Sequence, residues 1–211
     1  MLKYHDYTRT RLKQLGERMV NSIYQETRPI RDLVVAGPVD RISFKEAQKL
    51  EYRPVKLGEQ FGPLWATFWF KVSTKIPKEW EGKRVDLLWN SYSEATLWVN
   101  GRTIQGLNHE PLNNERCTRP DAVLLQKARG GETLDFNVEL ACNRLFGKVG
   151  NPHFKSVSPF VLDQCEIALF DANAWEIYFD FNVLQELEAE VSRGLDPVWA
   201  GKLLSELNRF A

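Results

Sequence analysis

Between Thr8 and Gln25 the apolar residues Leu12, Leu15, Met19 and Ile23 recur at steps of three and four, separated by Arg, Lys and Glu. At 3.6 residues per turn those positions share one face, so the spacing predicts an amphipathic helix. After Pro29 the helical period gives way to short apolar runs bounded by turn residues, the pattern of a mostly antiparallel β domain. Strands are predicted at Arg41–Phe44, roughly Tyr52–Lys56, Trp65–Ser73, Val85–Ser91, Ala95–Val99 and Arg102–Gln105. Asn100-Gly101 joins the last two, and that dipeptide suits the positive φ angles of a type I′ hairpin. Thr133–Leu140 alternates, with Leu134, Phe136, Val138 and Leu140 on one face and Asp135, Asn137 and Glu139 on the other. One face is expected in the core and the other in water.

The stretch from Trp65 to Phe70 carries four aromatics in six residues. Strand alternation separates them: Trp65 and Trp69 fall with Thr67 and Lys71, whereas Phe68 and Phe70 fall with Ala66 and Val72. The second set is expected between two sheets. The first set suits a surface covered by another element, a helix or a neighbouring domain. Gln164–Phe170 reads as a further strand, followed by Asp171 as a helix cap and a helix over Ala174–Glu190. Ser192-Arg193-Gly194 breaks that helix, and Asp196-Pro197 opens a last one through Leu203, Leu204 and Leu207.

The 211 residues allow one core with a helical appendage. Acidic and basic side chains balance at 28 each, without long basic runs, so nucleic acid is not an expected partner. No stretch approaches the roughly 20 apolar residues of a membrane span, and the first residues lack the apolar centre of a secretory signal. The expected compartment is the cytoplasm, with no membrane partner. Cys117, Cys142 and Cys165 lie far apart, without a Cys-x-x-Cys pair, and read as free thiols.

Catalytic signatures are few. His5, His109 and His153 stand alone, without the ligand spacing of a zinc site, and the latter two fall in predicted loops. There is no Gly-x-Ser-x-Gly elbow, and Cys142 at a strand end reads as a small buried thiol rather than a nucleophile. Gly130-Gly131 and Gly147-Lys148-Val149-Gly150 lack the phosphate-cradling pattern. Glu94, Asp121 and Asp180 are carboxylates of the kind glycoside hydrolysis needs in pairs, but spacing alone does not pair them.

Three stretches together carry a resemblance: "FGPLWATFWFKVSTKIPKEWEGKRVDLLWNSYSEATLWVNGRTIQGL" from Phe61 to Leu107, "ELACNRLFG" from Glu139 to Gly147, and "CEIALFDANAWEIYFDFNVLQELEAE" from Cys165 to Glu190. In this order they resemble the N-terminal domain of the family-38 α-mannosidases of the cytosolic and vacuolar type. The resemblance implies a mainly β fold, a jelly-roll, galactose-binding-like β-sandwich with an N-terminal helix and C-terminal helices. It divides the chain into a helical lead-in over 1–30, a sandwich over 31–172 and helices over 173–211 that lead towards a catalytic barrel. It implies a parent that hydrolyses terminal α-mannosides with an aspartate nucleophile and a zinc-type divalent metal, both held by the barrel. No residue here matches that metal motif, so this chain is expected to hold no cofactor or catalytic residue and to be inactive alone. It reads as an excised domain rather than a natural fragment.

Within this frame the loop Ala141–Gly147 is the candidate site. Asn143 and Arg144 offer hydrogen bonds to sugar hydroxyls and Phe146 a stacking face, at the mouth of the barrel or in the substrate pocket. The alternative is a loop that only packs domains together. A second reading makes the chain a stand-alone carbohydrate-binding module, with an exposed aromatic row such as Trp65, Trp69, Tyr92 and Trp98. A third is a homo-oligomerisation domain, through the first helix or the apolar stripe of the last.

Overall fold

The computed structural model describes residues 4–108, 118–143, 160–194 and 196–211. They form helices α1 (His5–Val20), α2 (Phe44–Ala47), α3 (Ala172–Ser192) and α4 (Pro197–Phe210). The strands are β1 (Tyr24–Pro29), β2 (Asp32–Val39), β3 (Arg53–Pro54), β4 (Gln60–Phe61), β5 (Thr67–Lys75), β6 (Val85–Asn90), β7 (Glu94–Val99), β8 (Arg102–Asn108), β9 (Asp121–Leu125), β10 (Thr133–Ala141), β11 (Phe160–Val161) and β12 (Gln164–Phe170). The chain divides into two compact units, one of Glu26–Leu169 and one made from both ends, Met1–Gln25 with Phe170–Ala211.

In the helical unit, Leu12, Phe181, Leu204 and Leu207 form the core, with Leu15, Met19 and Leu203 against them. Helix α1 ends at Val20 rather than Gln25. Ser22 Oγ donates to the Met19 carbonyl at 2.7 Å, a local bond that competes with another helical turn. The predicted caps are present: Asp171 accepts from Ala174 N–H at 3.0 Å and Asp196 from Trp199 N–H at 2.9 Å. Arg9 donates through Nε and Nη2 to Glu188, at 3.1 and 2.7 Å, joining α1 to α3.

The other unit is a jelly-roll sandwich. A four-stranded sheet runs β1-β12-β6-β9, a six-stranded sheet runs β3-β2-β5-β10-β7-β8, and β11 pairs with β4. Phe68, Phe70 and Val72 of β5 point between the sheets as alternation required, joined by Phe136, Val138 and Leu140 of β10 and by Val85, Leu87 and Trp89 of β6. Phe61 meets Phe68 and Phe70 edge-on at 5.0 and 5.4 Å, and Phe70 meets Trp89 at 5.0 Å. The hairpin at Asn100-Gly101 has φ of 51° and 74°, the left-handed pair its sequence required.

Three strand expectations change, and further strands appear that the sequence pattern does not predict. Arg41–Phe44 is not a strand. Ser43 and Glu46 form a capping box that starts α2 instead, with Ser43 N–H donating to Glu46 Oε2 at 2.8 Å. Tyr52–Lys56 shrinks to the two-residue β3. Trp65 lies before β5 rather than in it, with φ of 72°. Strands β1 and β9 were not predicted: both are sheet edges, and the solvated face of β1 leaves its sequence polar. Strand β2 was missed because Gly37-Pro38 interrupts its apolar run, where the ladder with β5 shifts register.

Candidate functional site

Strand β10 lies between β5 and β7, and the three meet at one end, where Ala141 pairs with both Thr67 and Glu94. Strand β8 also finishes there, with Asn108 opposite Glu94. The chain leaving β10 is held on both sides. Cys142 N–H donates to the Ala66 carbonyl at 2.8 Å, and Trp65 N–H donates to the Cys142 carbonyl at 2.7 Å. On the other side, Ser93 Oγ lies 2.6 Å from the Asn143 carbonyl and 3.1 Å from Asn143 Oδ1, and it also contacts the Ala141 carbonyl. One hydroxyl proton serves these oxygens one at a time. Asn143 N–H donates back to Ser93 Oγ at 3.2 Å, and Asn143 Nδ2 donates to Glu94 Oε2 at 2.6 Å.

Asn143 is therefore anchored through both ends of its amide, to Ser93 of the β6–β7 connection and to Glu94 at the start of β7. Each end keeps capacity for one further bond. Arg144 and Phe146 lie outside the described residues, as do His109, His153, Cys117 and the Gly147-Lys148-Val149-Gly150 turn. The β6–β7 connection adds a second feature. Tyr92 has φ of 50° and is 40% exposed, and its phenol donates to Asp163 Oδ2 at 3.1 Å. That bond raises the Tyr92 pKa above its ordinary value. Asn90 Nδ2 reaches the same oxygen at 3.3 Å, and Asn90 Oδ1 accepts from Tyr92 N–H at 2.9 Å. Tyr92, Asn90, Asp163, Gln164, Glu166 and Leu57 line an open cavity of about 430 Å³.

Two expected site features are corrected. The aromatic row of Trp65, Trp69, Tyr92 and Trp98 is not an exposed row. Trp69 is 0% exposed, with Phe44 of α2 edge-on at 6.0 Å and Trp98 at 5.4 Å. Trp98 stacks on Phe44 at 5.3 Å and donates through Nε1 to Glu139 Oε2 at 3.1 Å. The helix that the sequence hid at Ser43–Ala47 is what covers them. Nor is the polar face of β10 wet throughout: Glu139 lies beside this cluster, and burial pushes its carboxyl above the ordinary value.

Cys142 has the character expected from its sequence position, a small buried thiol rather than a nucleophile. Cys142 is buried, and burial raises its thiol to about 12, leaving almost no thiolate at neutral pH. The three candidate carboxylates stand apart in the topology: Glu94 opens β7, Asp121 opens β9 in the other sheet, and Asp180 belongs to the helical unit. Among the described residues no three His, Cys, Asp or Glu side chains come together to hold a metal ion. The resemblance assigns its divalent metal to the barrel rather than to these residues.

The fold and this end of it define the class: a jelly-roll sandwich whose polar and aromatic side chains gather where several strands begin and end. The chain belongs to the family described as alpha-mannosidase, jelly roll domain, which it matches over residues 28–168. It is 32% identical to Alpha-mannosidase G of Dictyostelium discoideum over 182 residues, covering 82% of this chain and 16% of that protein. It is 32% identical to Alpha-mannosidase 2C1 of Homo sapiens over 150 residues, covering 69% of this chain and 14% of that protein. The chain thus spans only a small part of the length of these much larger relatives. A solved β-glucuronidase of Faecalibacterium prausnitzii matches 69% of this chain and 31% of its own at 13% identity, with a TM-score of 0.48, too loose to carry a functional inference.

Proposed function

We propose that this chain is the N-terminal, non-catalytic domain of an α-mannosidase, acting in the cytoplasm, where the complete polypeptide hydrolyses terminal α-mannosides. In this reading residues 1–30 are the lead-in, 31–172 the sandwich, and 173–211 the helices that run towards the catalytic barrel. The barrel supplies the nucleophile and a zinc-type metal. The sandwich supports it, and Asn143, Arg144 and Phe146 shape the substrate pocket. The observation that carries the reading is the family match over 28–168 in relatives of which this chain covers 16% and 14%. The anchoring of Asn143 by Ser93 and Glu94 supports the role of the loop, because a rigid base is what a positioned contact needs.

The direct test is hydrolysis of an aryl α-mannoside by the 211-residue chain alone. No turnover is expected, and turnover above the background rate contradicts the reading. Assembly is a second function favoured by a specific observation. Helix α3 leaves Trp175, Phe179 and Val183 exposed at steps of four, large apolar side chains of the kind an interface covers. Light scattering that reports a monomer at all concentrations removes it.

A further inference from the structure

The outer face of the six-stranded sheet carries a cavity towards the start of β10, at the opposite end of that strand from Ala141. Leu33, Val72 and Phe136 of β2, β5 and β10 point into the core, so their neighbours in sequence point outward. Strand pairing aligns those neighbours in rows. Asp32 and Asp135 flank Ser73 in one row, and Val34 and Asn137 flank Lys71 in the next. The rows lie about 7 Å apart along the strands, and the two aspartate backbones about 10 Å apart across them. Phe44 and Gln48, from α2 and its C-terminal end, and the Asn100-Gly101 turn complete the lining of a space of about 370 Å³.

Three charged side chains line this cavity, and they do not pair with one another. Lys71 lies one row from both aspartates, yet its Nζ donates to the Gln48 carbonyl at 3.3 Å and sits 4.1 Å over the centre of the Tyr52 ring. Asp135 accepts from Ser73 Oγ at 2.6 Å, whereas Asp32 has no hydrogen-bond or ion-pair partner among the described residues. Gln48 Nε2 is buried without an acceptor among them, a costly and uncommon state for a donor. One end of the cavity therefore supplies acceptors, from Asp32 and Asp135, and the other supplies donors, from Lys71 and Gln48. A lone ammonium would leave the donor end unused. A neutral sugar hydrogen-bonds at either end but neutralises neither charge. A molecule with an ammonium and a carboxylate satisfies both, and the volume lies at the small end of the range for ligand cavities.

We propose that this cavity binds a small zwitterion, a free aliphatic α-amino acid, with its ammonium at Asp32 and Asp135 and its carboxylate at Lys71 and Gln48 Nε2. The terminal torsion of a glutamine is soft, so the amide can turn its orphaned N–H towards the ligand. Val34 and Phe44 offer apolar contact to the aliphatic side chain. The site stands independently of the α-mannosidase reading.

The test is backbone-amide NMR of the 211-residue chain, titrated at neutral pH with L-leucine and, separately, with leucinamide, N-acetyl-leucine and methyl α-D-mannopyranoside. Leucine is expected to shift the amides of Ser73, Asn100 and Asp135 saturably. Leucinamide and N-acetyl-leucine each keep one end of the dipole and are expected to bind about tenfold more weakly or worse, the scale of one lost charge-assisted contact. Asp32→Asn, at an exposed position, is expected to weaken leucine binding by the same factor. Gln48→Met keeps the shape of the side chain and removes the orphaned donor, so it is expected to lose about fivefold in affinity while its melting temperature stays level or rises. Glu176→Gln, which removes an exposed carboxylate of α3, is expected to bind as the unaltered chain does. Absence of saturable shifts with leucine overturns the site, as does leucinamide, N-acetyl-leucine or the mannoside binding as tightly as leucine. Full binding by Asp32→Asn or Gln48→Met, a lowered melting temperature in Gln48→Met, or lost binding in Glu176→Gln also overturns it.

Discussion

Replacing Trp69 by alanine separates a docking surface from a structural core. Alternation places Trp69 on the face away from the main core, where a covering domain would make its loss harmless to this chain. It is instead wholly buried, with Phe44 and Trp98 packed against it and Glu139 and Ala36 opposite it on the neighbouring strands. Truncating a buried Trp costs about 3–5 kcal/mol through lost contacts and the cavity left behind. One term runs the other way, because Trp69 Nε1–H is buried without an acceptor among the described residues. Removing such a group returns about 1–3 kcal/mol. The net cost of Trp69→Ala is therefore about 2 kcal/mol, or a fall in Tm of about 4–8 °C at this chain length. Trp69→Phe keeps a ring against Phe44 and removes the unmatched N–H, so it is expected within about 1 kcal/mol of the unaltered protein. Urea and thermal unfolding followed by circular dichroism measure both. Trp69→Ala within about 0.5 kcal/mol of the unaltered chain, or Trp69→Phe as damaging as alanine, would refute this packing.

Phe68→Asp would bury a carboxylate without a partner between the sheets, and no soluble protein is expected on expression. In Glu139, burial raises the carboxyl above the ordinary 4.5. A raised acid contributes stability below its unfolded pKa and loses it as pH rises through the folded value. Glu139→Gln, which keeps an oxygen for Trp98 Nε1–H, is therefore expected to gain on the unaltered chain as pH rises above 4.5 and then level off, in melts taken across pH. A constant difference contradicts it. In the helical unit Glu188 is 3% exposed while the Arg9 side chain is 37% exposed. Arg9→Ala strands a buried carboxylate and is expected to cost about 3 kcal/mol in urea unfolding. Glu188→Ala leaves a cation that water can reach and is expected to cost less, so the reverse order is the refuting result.

The sequence was most legible where local chemistry and tertiary burial agree. The alternation of β10, the Asn100-Gly101 turn and the Asp171 and Asp196 caps each express one local rule, and each stands in the fold. Reading fails where a segment is short or polar by necessity. Strand β1 is an exposed edge and looks like a loop, while α2 has four residues, too few for a period to show. The Ser43-x-x-Glu46 capping box was the available signal, and it accounts for the cover over Trp69 and Trp98. The site was legible in part. Asn143 lay at the end of the cleanest alternating strand, but its tie to Ser93 and Glu94 joins residues some fifty positions apart in sequence. Trp65 and Tyr92 carried no sequence mark of their positive φ, since neither is Gly, Asn or Asp.

The most direct measurement of the central claim is kcat/KM on an aryl α-mannoside for an α-mannosidase that carries this chain at its front, with Asn143→Ala and Phe146→Ala together. If the loop after β10 shapes the substrate pocket, kcat/KM falls by about tenfold or more while Tm is unchanged. Unchanged kinetics would contradict that account and leave the loop as a packing element alone.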